Sequence, residues 1–228
     1  MIRLHIIAEG QTEETFVNFV LVNYLGHFGV VADARCVETS RKRRRIYRGG
    51  LLDYPRAKRD ILRWMNDDQN DDALFTTMFD LYALPPDFPG YKEAKKNFDP
   101  YRRVEQMEEA MGEDISSQRF IPYIQLHEFE ALILADPRQF EAQFPNRIKA
   151  IKEIGNQCAS FSSPELIDDG NNTAPSKRII QLLPEYYGMK ASAGPLIAQK
   201  IGLPLIREKC PHFHSWLTKI ESLSKANI

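Results

Sequence analysis

Carboxylates mark the places in this chain where chemistry would be sought first. Glu9 follows the apolar run "HIIA" and precedes Gly10, Asp80 closes "ALFTTMFD", and Glu128 and Glu130 come just after "RFIPYIQL". Glu13 lies about one helical turn beyond Glu9 if a helix opens at "QTEETF". An ionised group directly after a buried strand loses water, so an acid there needs a partner or a task. Acids gathered at one place repel one another and hold protons more tightly, and a hard divalent cation relieves both effects. Phosphodiester cleavage uses such a grouping, with Mg²⁺ ions about 3.5–4 Å apart that stabilise phosphate oxygens and activate a water. The first-turn position of Glu13 and Glu14 has a plainer explanation as well, since the helix dipole favours acids there.

These acids converge only if the elements carrying them do. "IRLHIIA" predicts a buried strand and Gly10 the turn after it. A helix is expected over "TEETFVNFVLVNYLGHFG", capped by Thr12, with Phe16, Phe19, Val20 and Tyr24 along its apolar face and Gly26 or Gly29 ending it. A strand "VVADARCV", a helix "YPRAKRDILRWMND" and a third strand "ALFTTMFD" follow, the last delivering Asp80 into the loop "LYALPPDFPG". A helix from Tyr101 to Met111 then leads to a fourth strand, "RFIPYIQL". This alternation predicts an α/β fold, a parallel sheet flanked by helices. Functional groups in such sheets collect beyond the carboxyl ends of the strands, which brings Glu9, Asp80, Glu128 and Glu130 to one rim. Glu128 and Glu130 share a face only on extended backbone and diverge once a helix has begun, so one of the two is expected to face a metal. From about Pro137 the patterns are helical, so residues 1–136 are expected to form the α/β domain and 137–228 a mainly helical extension packed on it.

The chain has 228 residues, 43% of them hydrophobic and 27% charged, enough apolar surface for a packed core. No apolar run approaches the roughly 20 residues of a membrane span, and the start lacks the pattern of a signal peptide, so the expected location is the cytoplasm with no membrane partner. Cys36, Cys158 and Cys210 are far apart, which argues against a disulfide framework or a cysteine zinc site. "CPHFHSW" sets Cys210, His212 and His214 at a spacing that metal ligands use, but with no second cluster it reads as a packed aromatic helix. The net charge is −1, so contact with a polyanion requires a local patch. One exists: Arg41, Lys42, Arg43, Arg44, Arg45 and Arg48 give six cations in eight residues, with Tyr47 among them able to stack on a base. The other reading of that run is a solvated loop facing the protein's own acids or an acidic partner. Lys177, in "SKR", could steady a phosphate or simply belong to a helix start after Pro175.

An acid closing the first strand before a glycine, a second acid after the third strand, and this order of elements resemble the TOPRIM fold of topoisomerases, primases and OLD-type nucleases. "AEGQTEETF" is similar to the E-G-x-x-D/E opening of OLD-type domains. Taken in order, "MFDLYALPPDFPGY", "HEFEALILADP", "APSKRI" and "IGLPLIREKCPHFHSWL" resemble, over nearly the whole chain, a TOPRIM-like family of bacterial phage-defence operons found beside an ATPase gene, as in AbiL-type abortive infection systems. The resemblance implies a nuclease-like effector that cuts DNA or RNA with Mg²⁺ or Mn²⁺ and works with that ATPase. The expected metal ligands are Glu9, Glu13, Asp80, Glu128 and Glu130, and the expected catalytic residues Glu9, Asp80, Glu130 and Lys177. Between Glu128 and Glu130, the similarity of "EALILADP" to the helix start that carries a late acid in OLD-type domains selects Glu130 as the one facing the metal. The third strand of a TOPRIM domain usually ends D-x-D, whereas here it ends Asp80-Leu81-Tyr82. A phenol with an ordinary pKa near 10 brings no negative charge, leaving Glu13 and Glu130 to supply oxygens. That departure favours an alternative, a non-catalytic TOPRIM-like binding or regulatory subunit of the partner ATPase.

Overall fold

The computed structural model describes residues 1–42, 45–48, 51, 53–167, 170 and 172–224, with the backbone alone for 38–42 and 45–48. The chain runs β1 (Ile2–Ala8), α1 (Gln11–Phe16), a π-helical turn (Val17–Leu21), α2 (Val22–Gly26), β2 (Val30–Cys36), β3 (Glu38–Lys42), β4 (Arg45–Arg48), α3 (Tyr54–Asp67), β5 (Ala73–Asp80), α4 (Tyr91–Ala94) and α5 (Pro100–Ile115). It continues through β6 (Phe120–Ile121), β7 (Ile124–Gln125), α6 (Glu130–Ile133), α7 (Ile148–Cys158), α8 (Pro175–Leu182), α9 (Lys190–Ile201), α10 (Leu203–Lys209) and α11 (Pro211–Glu221).

β1 is flanked by parallel neighbours, β2 in register from Ile2↔Val30 to Ala8↔Cys36 and β5 from Arg3↔Ala73 to Ala8↔Met78. The sheet order is β2-β1-β5-β6, with β7 also on β5, and every pair in it is parallel. A parallel sheet must be covered on both faces, and the side-chain alternation of β1 and β5 divides the core accordingly. Leu4, Ile6 and Met78 join one apolar cluster with Phe16, Leu21 and the C-terminal helices. Ile7, Phe75 and Phe79 join the other, with Ile61 of α3 and Val104, Met107 and Met111 of α5. β3 and β4 form a separate antiparallel ribbon. No helix among the described residues is long and apolar enough to cross a membrane.

Four local expectations are corrected. The cap of α1 is Gly10 rather than Thr12, because Glu13 reaches back to take the Gly10 N–H at 2.9 Å, one half of a capping box. Phe19 is 57% exposed, while Phe16, Val17, Leu21 and Leu25 are buried. The π turn inserts an extra residue and rotates the apolar face out of the simple helical phase. The fourth strand is two short ones, β6 and β7, interrupted at Pro122, which has no N–H to give the ladder. At the break Thr77 takes over, its hydroxyl donating to the Tyr123 carbonyl at 2.7 Å and accepting the Tyr123 N–H at 3.0 Å. The helix expected over Tyr101 to Met111 is longer at both ends, with Asp99 accepting the Tyr101 N–H at 2.9 Å and Pro100 in its first turn.

Residues 137–221 supply helices whose apolar residues enter the same cluster as β1 and α1, among them Ile154, Ile179, Ile197 and Phe213. α11 is tied to the sheet by Trp216, which donates its indole N–H to Thr76 Oγ1 at 3.0 Å and stacks on Tyr123 at 4.3 Å between ring centres. α9 lies against α1 because Gly194 permits it. A Cβ at that position would stand 3.0 Å from Phe129, 3.1 Å from the Tyr186 hydroxyl and 3.5 Å from Thr12. Phe129 and Tyr186 are fully buried and have no room to retreat. Gly194→Val is therefore expected to cost about 1–3 kcal/mol through overpacking. Gly155→Ala on α7, with nothing within 4 Å of the added carbon, should be neutral or gain up to about 1 kcal/mol. Urea unfolding of the two variants checks both.

Candidate functional site

The connection from β1 places β2 on one side and the next crossover places β5 on the other, so the crevice beyond β1 and β5 is the sheet's topological switch point. Glu9 and Asp80 stand on its two sides. Their geometry is set by backbone donors: Glu9 Oε2 accepts the Asp80 N–H at 2.9 Å, and Asp80 Oδ1 accepts the Phe129 N–H at 2.9 Å. The ladder continues into this arrangement, since the Glu9 N–H donates to the Met78 carbonyl at 3.1 Å. Glu13 is buried, its Oε2 on the Gly10 N–H.

The two acids after β7 part company. His127 has φ +62°, a left-handed residue that turns the chain, and its carbonyl accepts the Tyr82 N–H at 2.9 Å. Glu128 then spends both oxygens on the first turn of α8, accepting the Ser176 N–H at 2.7 Å and the Ser176 hydroxyl at 2.9 Å. Glu130, in the first turn of α6, pairs through Oε1 with Lys190 Nζ at 3.1 Å and receives the Tyr186 hydroxyl at 3.3 Å.

Electrostatics binds the acids into one system. Loss of water pushes Glu9 up to about 7; the Asp80 N–H opposes this, and the charges of Glu128 and Glu130 add to it. Burial, followed by the charge of Glu9, pushes Glu13 up to about 8. Burial holds Asp80 well above the carboxylate range, reinforced by Glu13, Glu9, Glu130 and Glu128. Glu130 is raised by burial in spite of Lys190. Burial works to lower Lys190, but Glu130 and Glu128 outweigh it and leave the ammonium held more tightly than usual.

Among the described residues, no three His, Cys, Asp or Glu side chains already stand as a group able to hold a metal. The fit to a divalent cation is one of chemistry. Glu9 Oε1, Asp80 Oδ2, Glu13 Oε1 and Glu130 Oε2 accept no hydrogen bond from another of the described residues. They are hard oxygens in a crowded, poorly hydrated site, the donor type that Mg²⁺ and Mn²⁺ take. Carboxylate rotation would be needed to close them around an ion.

Of the residues singled out in the sequence, Glu9, Glu13, Asp80, Glu128 and Glu130 come together here. Lys177 is half-buried on α8, and its side chain has no ion pair among the described residues. The cation inside the acid cluster is Lys190, which opens α9 and carries no local motif. Tyr186 and Ser176 likewise carry no sequence signal for the part they play. Arg41 and Lys42 belong to β3 and Arg45, Tyr47 and Arg48 to β4, with register pairs Ser40↔Tyr47, Arg41↔Ile46 and Lys42↔Arg45; Arg43 and Arg44 lie outside the described residues. The ribbon leaves from the same rim as Glu9, because Val37, between β2 and β3, gives its N–H to the Ala8 carbonyl at 3.0 Å. In "CPHFHSW", His212 Nε2 meets Glu108 at 3.0 Å and the Ile124 carbonyl at 3.1 Å, and the ring stacks on Tyr123.

Residues 8–221 match the family model described as a domain of unknown function, DUF4276, and the chain belongs to that family. No curated protein and no solved structure matches it.

The raised carboxyls have a thermodynamic signature. Each binds its proton more tightly folded than unfolded, so the stability they contribute is complete below about pH 4.5 and is lost as pH rises through about 7 and 8. Thermal unfolding in chelator should show Tm falling across that interval, and a Glu9→Gln, Glu13→Gln double variant should flatten the fall. An unaltered slope in the variant would assign the pH dependence elsewhere.

Proposed function

We propose that this chain is a TOPRIM-like, metal-dependent nuclease of an anti-phage defence system, cutting DNA or RNA phosphodiesters and licensed by a partner ATPase. The observation that supports it most is the convergence of Glu9, Asp80, Glu13 and Glu130, each with an oxygen to spare, at the switch point of a parallel sheet. Mg²⁺ or Mn²⁺ bound there would supply Lewis-acid charge for phosphate oxygens and lower the pKa of a water. Glu9 and Asp80, oriented by backbone N–H groups, would hold it, and Glu13 and Glu130 would complete the oxygen set. Lys190 keeps Glu130 in place and adds positive charge beside a phosphate. The basic ribbon of β3 and β4, rooted at the same rim, would carry the nucleic-acid backbone to the acids through contacts such as Arg41, Lys42, Arg45 and Arg48. The chain has no phosphate-binding P-loop, which fits gating by a separate ATPase.

A second reading, a non-catalytic subunit of that ATPase, draws on two observations. Tyr82 stands where a TOPRIM domain carries an acid, and Glu128 is committed to α8. Purified chain, with and without its ATPase, incubated with plasmid, linear DNA and RNA in Mg²⁺ or Mn²⁺, separates the two. The nuclease reading expects cleavage lost in Glu9→Ala and Asp80→Ala, and calorimetric Mn²⁺ binding weakened in the double variant; intact substrate in every arm sinks it. Neutralising three arginines of the ribbon should flatten the salt dependence of DNA binding, by a slope of roughly 0.9 for every phosphate that the variant leaves unneutralised. An unchanged slope would detach the ribbon from nucleic acid.

A further inference from the structure

Midway along β1, on the sheet face that α3 covers, the ring of His5 bridges two carboxylates. Nδ1 lies 2.8 Å from Asp33 Oδ1 on β2, and Nε2 lies 3.0 Å from Asp68 Oδ2 in the turn after α3. Ionised carboxylates only accept hydrogen bonds, and a neutral imidazole has a single N–H to give. Both contacts are hydrogen bonds at once only when the ring carries two protons. We propose that His5 is a proton-operated latch: charged, it ties the edge strand β2 and the turn between α3 and β5 to β1, and neutral, it lets go of Asp33 and loosens β2, which its ladder to β1 still holds.

The surroundings decide which bond is given up. Asp68 is held from several sides, by Arg3 at 3.0 Å and by the backbone and side-chain N–H groups of Asn70 at 3.2 and 2.7 Å. The Arg119 guanidinium donates to the Asp68 carbonyl at 2.7 Å and lies over Phe75, on which the His5 ring also packs. Asp33 is 51% exposed and has no second donor among the described residues, so it can turn to water at little cost. A single remaining proton therefore stays on Nε2, toward Asp68. The other charged groups around the ring are Arg35 from β2, Arg3 from β1, and Asp67 and Asp72 from the ends of the turn; Arg35 and Asp67 face His5 across a cavity of about 290 Å³ walled by Trp64. The two carboxylates raise His5 above its ordinary 6.5, first through the hydrogen bond that Nδ1–H donates to Asp33. The latch is thus closed below pH 6.5 and opens as pH rises through the raised value. β2 continues into the basic ribbon, so the opening loosens the strand from which the ribbon rises.

Imidazole ¹⁵N spectra of the full chain should show both nitrogens of His5 protonated at pH 6 and Nδ1 losing its proton at a midpoint above 6.5. Amide protection in β2, corrected for the intrinsic pH dependence of exchange, should fall about tenfold across the same midpoint, the scale of one charge-assisted hydrogen bond. Asp33→Asn, at an exposed position the fold tolerates, should lower the midpoint and remove the step in protection. A midpoint at or below 6.5, or a single protonated nitrogen at pH 6, overturns the latch. So does a step that persists in Asp33→Asn, which titration of Glu9 or Glu13 would produce.

Discussion

Holding several carboxylates at one end of a parallel sheet is the constraint on which the rest of the structure depends. Coulomb repulsion and lost hydration both act against it, and the raised proton affinities of Glu9, Glu13 and Asp80 record the strain. The fold answers with fixed dipoles rather than with many cations. Asp80, Phe129 and Gly10 each turn a backbone N–H on a carboxylate, and one lysine, Lys190, is brought in from α9. Such donors cost little to reorganise, because the chain has already fixed them. The pairing of β1 with β5 is what makes the first of these hydrogen bonds available.

A related device attaches the C-terminal helices. Glu128 receives the N-terminus of α8 through Ser176. Glu165, fully buried, receives that of α11 through the His212 and Phe213 N–H groups, each at 2.9 Å. Free N–H groups at a helix start and a nearby carboxylate satisfy each other, and the helix dipole adds to the attraction. Two helices are therefore docked by acids that would otherwise be costly to bury. In Glu128, a residue with the look of a metal ligand is engaged in architecture.

Much of this is legible along the chain, and the boundary of legibility follows the range of the interactions. The first three strands of the sheet and α3 follow from apolar runs and local caps, with Asp53 accepting the Arg56 N–H at the start of α3. Glu9 and Asp80 stand out because an acid at the end of an apolar run is a local anomaly. What escapes depends on partners far away or on small backbone departures. Lys190 has no motif of its own and acquires its role from Glu130; Glu165 acquires its role from α11. The π turn that exposes Phe19 and the proline that divides the fourth strand shift a pattern by one residue, which periodicity alone reads through.

The bond between Trp216 and Thr76 joins residues 140 positions apart, and it closes over the centre of the sheet. During synthesis the strands emerge long before α11, so one face of the nascent sheet, with Leu4, Ile6 and Met78, has no cover until the late helices arrive. Closure of so long a loop is slow, and an uncovered parallel sheet is prone to sticking in the meantime. The same delay applies to the acid rim, because Lys190 and the α8 start that engages Glu128 also come late in the chain. A ribosome-bound fragment that stops short of α8 and α9 thus carries the carboxylates without their counterparts, and the site comes into being only once those helices have joined the core.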